Sequence, residues 1–244
     1  MIISAKITVE RTGKVFDTLK DWGLIVGNNN YIGNPVQETF YETVPGLSKP
    51  IDLSEALTGK PVYKSRPINV LLGGKKSRRD WDGFISKYRN EIEGQVVRLT
   101  FSNDLGYFWR GRVNITNFER TMEIGTFNLE IPMADPYKYD AFASDELWEW
   151  DSFDFEYGTI RYLGTLDIDD SIIIIEKGTM ETVPIFKIDS IESGTLTVTV
   201  NEKMYNLSIG KNRFPQIKVA GREDVTLKFV GKGVGRVVYR SGSL

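Results

Sequence analysis

Apolar and polar residues alternate with a period of two along most of this chain. SAKITVER near the start and VVRLTFS at 96–102 do so, as do YFWRGRVNITNFER at 107–120 and IGTFNLEIPM at 124–133. Successive side chains of an extended backbone point to opposite faces, so this pattern predicts strands with one buried face each. SNDLG supplies Asn, Asp and Gly for a hairpin turn, and RTME separates the next two runs. The last three runs therefore read as an antiparallel meander.

The period changes once. In DWDGFISKYRNEIEG, Trp81, Phe84, Ile85, Tyr88 and Ile92 fall at helical spacing. This predicts a helix over about 80–93, packed on the sheet by an aromatic stripe, with Asp80 as its N-cap and Gly94 as its stop. Residues 43–67 hold four prolines and two glycines in 25 positions, which predicts an irregular segment with short extended pieces. Beyond PMADPYKYDAF, at 132–142, about seven short strand patterns recur at the 8–12-residue spacing of a β-sandwich.

That stretch reads as a domain junction. Pro132 has no amide hydrogen and is expected to end the strand before it, and Pro136 keeps Asp135 extended. Tyr137 and Tyr139 alternate with Lys138 and Asp140 and share one side of a strand. Pro132, Pro136, Tyr137 and Tyr139 are the candidate junction residues. The fold expected is mainly β, with an N-terminal β domain over 1–135 carrying one α-helix and a C-terminal β-sandwich over 136–244.

Charge adds a mild asymmetry. The 244 residues carry a net charge of -2. Residues 1–135 hold 18 Lys+Arg against 16 Asp+Glu, and residues 136–244 hold 13 against 17. With no overall basic excess, the chain is not marked as a nucleic-acid or membrane binder. It contains no cysteine and no histidine. Disulfides, thiolate zinc sites, cysteine nucleophiles and Ser-His-Asp triads are excluded, and the usual general base and transition-metal ligand are missing. No catalytic, cofactor or metal residues are expected, and a binding or structural role gains weight. Lys6, Glu10 and Arg11 interrupt the N-terminus too early for a signal peptide, and the four isoleucines at 172–175 fall far short of the ~20 residues of a membrane span. Synthesis in the cytoplasm, without membrane attachment, is the expectation.

Three segments could carry chemistry. KKSRRD places Lys75, Lys76, Arg78 and Arg79 together, but the chain lacks the wider basic face that nucleic-acid binding requires. DELWEWDSFDFEYG, at 145–158, holds six acids, five aromatics and no base. It reads as strands with a buried aromatic face, or as a sugar platform on which Trp148 and Trp150 stack against pyranose rings. Glycosidase chemistry needs two carboxylates set across a cleft, and no pair stands out. DIDD lacks the glycine and distal glutamate of a calcium loop, and GKGVG precedes a strand, so it reads as a hairpin turn.

The order of these features resembles the distal tail protein (Dit) family of long-tailed phages infecting Gram-positive hosts. WGLIVGNNNYIGNP lies near the start, and VPGLSKPIDLSEALTGKPVYKSRPI is similar to the family's proline-glycine segment. A Trp-bearing helix ending in IEGQVVRLTFSND follows, then YFWRGRV, the domain-ending FNLEIPMADPYKY and the terminal VVYRSGSL. The resemblance implies a virion protein of the tail tip or baseplate. Six copies would join through their N-terminal domains into a homohexameric ring between the tail tube protein and a tail-associated spike or lysin protein. DNA would pass through its channel. The C-terminal domain would be a galectin-like sandwich projecting outward, in some relatives carrying receptor-binding parts. The reading that competes with the hub is a carbohydrate-binding module for host wall polysaccharide.

Overall fold

The period-two runs become strands of stacked antiparallel sheets, and the aromatic helix covers one of the cores. The structure is a computed structural model, and it describes residues 4–147, 162–192 and 194–244. The chain forms two compact units: Met1–Asn103 with Trp109–Pro136, and Asp104–Phe108 with Tyr137–Leu244.

In chain order, the first unit begins with β1 (Ala5–Val9), β2 (Val15–Asp17), β3 (Ile25–Val26), β4 (Tyr31–Ile32), β5 (Tyr41–Glu42), β6 (Ile51–Asp52) and β7 (Arg66–Lys75). Helix α1 (Arg78–Ile92), β8 (Val96–Phe101), β9 (Tyr107–Arg112), β10 (Asn114–Arg120) and β11 (Ile124–Ala134) follow. The first two residues of β9 belong to the second unit. One sheet runs β2-β1-β8-β9 and the other β10-β11-β7-β3, with β4 also on β7. Ala5, Ile7 and Val9 of β1, Ile68, Val70 and Leu72 of β7, and Phe127, Leu129 and Ile131 of β11 all enter one core. Each fully buried side chain of the Val, Leu, Ile or Phe type stabilises by about 1.5–3 kcal/mol relative to exposure.

Helix α1 turns Trp81, Ile85, Tyr88 and Ile92 inward. Its indole lies against β11 only because position 125 is glycine: a Cβ there would come within 2.4 Å of Trp81 Cε2. Trp22, Phe84, Tyr88 and Phe127 complete the cluster, the Trp22 and Tyr88 rings lying 4.7 Å apart.

The second unit adds β12 (Lys138–Asp140), β13 (Leu166–Asp169), β14 (Ile172–Ile175), β15 (Ile185–Ile191), β16 (Leu196–Val200), β17 (Lys203–Leu207), β18 (Gly210–Arg213), β19 (Val225–Val230), β20 (Lys232–Val238) and β21 (Gly242–Ser243). Sheets β13-β20-β15-β18 and β14-β19-β16-β17 pack into a sandwich. Phe186 of one meets Phe229 of the other at 6.2 Å between centroids. β12 pairs with β21 and with the start of β9, Tyr139 opposite Phe108.

Four local expectations are corrected. The N-cap is Ser77: its Oγ accepts from the Asp80 amide at 3.2 Å and donates to the Asp80 carboxylate at 2.7 Å, and these two bonds start the helix two residues early. The run 107–120 is two strands in different sheets, so no single meander exists. The chain turns the corner at Val113, whose amide donates to Gln95 O while its carbonyl accepts from Gly94. Pro132 does not end its strand. β11 bulges between Ile131 and Ala134, the missing amide falls inside the bulge, and the buried Ala134 rejoins the ladder opposite Arg66. Finally, β19 and β20 lie in different sheets, so Gly231, at φ 110°, is a corner between sheets and not a hairpin turn.

Candidate interaction surface

The proline-rich segment is an arm. It leaves the first unit between Gly33, bonded to Pro67 O, and Arg66 at the start of β7. Gln37 bridges to Tyr63, Glu38 N donates to Val62 O at 2.7 Å, and Lys64 N donates to Val36 O at 2.9 Å. Further out, β5 pairs with β6, and the Asp52 carboxylate accepts from the Ser54 amide at 2.9 Å. The Ser54 hydrogen bonds hold the Asp52 carboxyl below its ordinary range. Further along the arm, residues 38–53 are exposed without interruption among the described residues. Phe40 is 59% exposed, Leu57 100%, and Tyr41, Leu47 and Ile51 are exposed with them. Apolar groups gathered on an exposed segment mark an interaction surface more often than chance decoration.

At the other end of β7 lies a shallow apolar groove of about 280 Å³. Ile25, Leu71, Lys75, Ile124 and Thr126 line it, and Gly27 and Gly73 leave it open. A Cβ at Gly27 would touch Leu71 Cδ2 at 3.0 Å, and one at Gly73 would touch Thr126 Cγ2 at 3.1 Å. The trace of this groove in the sequence is glycine inside strand patterns at 27 and 73–74, which marks bulges or close approach.

The basic run divides. Lys76 donates to Trp22 O at 2.6 Å and lies 4.9 Å from the Phe84 ring, so it serves the core of its own unit. Lys75, Arg78 and Arg79 are exposed. On the opposite sheet, Glu10 accepts from Arg98 Nε at 3.2 Å and from Arg110 Nε and Nη2 at 3.0 and 2.9 Å, and Arg110 Nη1 donates to Asp135 at 3.4 Å. Burial opposes ionisation of Glu10, but these hydrogen bonds outweigh it and hold the carboxyl below the usual range. Arg66 is buried against the Trp109 ring at 4.2 Å and donates to Gly33 O, and burial lowers its hold on the proton.

Of the candidate junction residues, Tyr139 stacks on Phe108 at 5.4 Å, and Lys138 beside it pairs with Asp104 at 2.8 Å. Pro132 sits in the β11 bulge, and the division between units falls between Pro136 and Tyr137. Trp148 and Trp150 lie outside the described residues. Among the described residues, no group of three His, Cys, Asp or Glu side chains is placed to hold a metal ion, and no helix is long and apolar enough to cross a membrane.

Two units, the first with a helix-covered core and an exposed arm, can be set against known structures. The SPP1 Dit protein, described as a paradigm of the hub adsorption apparatus in phages infecting Gram-positive bacteria, superposes with a TM-score of 0.59 over 97% of this chain and 98% of its own. The two chains share one fold. They do so at 14% sequence identity. No protein-family model matches the chain, and no curated protein matches it in sequence. The Dit-like fold thus rests on the order and pairing of elements, where the sequence alone offered only short, separate segments.

Proposed function

We propose that the protein is a structural hub at the distal end of a long non-contractile phage tail. Six copies form a ring through the first unit, joining the tail tube protein to a spike or lysin protein at the baseplate, and DNA passes through the channel. The protein then resides in the virion and acts by assembly, without catalysis. The observation that carries this reading is the likeness to SPP1 Dit along nearly the whole of both chains. An exposed apolar arm suits a ring, because heterologous contacts join two different patches of each copy. A net charge of -2 suits a channel that lets DNA through without holding it. In the same proposal, Pro132, Pro136, Tyr137 and Tyr139 form the passage from ring unit to outer unit, and the outer unit is a galectin-like spacer or docking module.

Size-exclusion chromatography with light scattering over a wide concentration range, with negative-stain electron microscopy, tests it. The expected result is a closed ring of six times the 27.7 kDa chain mass, formed either alone or on adding the tube or spike protein. A strict monomer under all of these conditions would sink the proposal.

A further inference from the structure

We propose that the arm of one copy seats in the Ile25–Leu71–Ile124 groove of the next, the contact that repeats around the ring. It rests on the ring reading above and names the surfaces that reading leaves open.

The placement of the two features argues for it. The arm is rooted at Arg66, the first residue of β7, and the groove lies at Gly73–Lys75, the last. At about 3.3 Å per residue these points are roughly 23 Å apart along one strand. Residues 38–53 are exposed throughout, so the arm is not folded onto the sheet of its own copy. An apolar projection at one end of a strand and an apolar recess at the other form a head and a tail. Repeated from copy to copy, such a contact is heterologous, and it closes when the rotation per copy divides a full turn.

The chemistry of the surfaces agrees. The arm offers Phe40, Tyr41, Leu47, Ile51 and Leu57 to solvent. The groove offers Ile25, Leu71 and Ile124, with room provided by Gly27 and Gly73. Burying such side chains against one another gains about 25 cal/mol for each Å² of apolar surface removed from water. The outer part of the arm, 38–57, carries Glu38, Glu42, Asp52 and Glu55 against the single base Lys49, while Lys60 and Lys64 lie on its return toward β7. The exposed Lys75 lines the groove, and the exposed Arg78 and Arg79 begin the helix that follows. The charges are complementary, which orients a docking segment and selects its register. The exposed part of the basic run thereby gains a protein partner in place of nucleic acid.

Photo-crosslinking tests it. A benzophenone amino acid is placed at Phe40 or at Leu57, and this chain is mixed with a ¹⁵N-labelled copy, allowed to assemble and irradiated. The expected crosslinks join the arm of the unlabelled chain to peptides of the labelled chain around residues 25–27, 71–75 or 122–126. In parallel, Ile124→Lys, at a side chain 50% exposed, leaves the circular dichroism and thermal transition of the single chain unchanged. It raises the concentration for half-assembly at least about tenfold, as the loss of a central apolar contact does. A ring that assembles normally with Ile124→Lys, with arm crosslinks mapping elsewhere on the neighbour, overturns the arm–groove contact and leaves the ring standing. Crosslinks confined to an added tube or spike protein assign the arm to that partner instead. A chain that never forms a ring removes both proposals.

Discussion

Glu10 binds Arg98 and Arg110 from two neighbouring strands, and Arg110 reaches on to Asp135. Because its carboxyl titrates below the usual range in the folded protein, the unfolded chain takes up its proton at a higher pH. The stabilisation is therefore full above the ordinary glutamate range and is lost as pH falls through the depressed folded value. Glu10→Gln should lower stability at pH 7 by about 1 kcal/mol, a figure kept small because these side chains are partly solvated. The difference from wild type should shrink as thermal melts are taken to pH values below the ordinary glutamate range. A deficit unchanged across that range would show that the arginines do not act through the charge. None of this was legible in the sequence: Glu10 lies 88 and 100 residues from its partners, and only strand register brings them together.

At the scale of elements, the helix was readable because its aromatic positions repeat at a period that no strand shares. Its start was misread because Asp80 and Ser77 are both good caps, and the reciprocal bond between them decides the matter in favour of Ser77. Ser77→Ala should cost about 1 kcal/mol in a urea melt, while Asp80→Asn, which keeps a polar partner at the third helical position, should cost less. Equal losses would mean that the Ser77 cap does not set the helix start. The β9–β10 corner escaped notice because Val113 and Ile115 keep the period-two rhythm while the chain changes sheet. The tell-tale residue is Gly111, where a Cβ would lie 2.3 Å from Ile131 Cγ2. Pro132 misled for a related reason. A proline cannot donate to a ladder, but it can occupy a bulge within one, and sequence alone does not separate the two. The arm was foreseen as irregular, whereas its groove was not, since a recess made by absent side chains leaves little trace in a hydrophobic pattern.

At the scale of the whole molecule, the second of the two units takes in residues 104–108 from far upstream of Tyr137. Tyr139 pairs with Phe108, Asp140 with Tyr107, and Ala141 N donates to Gly106 O at 2.7 Å. A fragment of residues 137–244 should thus unfold at lower denaturant than the same unit in the full chain. Chymotrypsin should cut it after Tyr137 and Tyr139 well before it cuts the intact protein there. Equal resistance in both would show that the borrowed segment adds nothing.

The borrowing also bears on inheritance. Genes assembled by recombination trade segments most freely where one crossover carries off a complete folding unit. Here a single crossover near codon 136 would deliver the second unit without the Tyr107–Phe108 strand with which it pairs. A viable exchange needs either two crossovers or a recipient that already presents a compatible turn at 104–108. Those five residues thus tie the second unit to a piece of chain that lies upstream of it, and any exchange of that unit has to carry or match them.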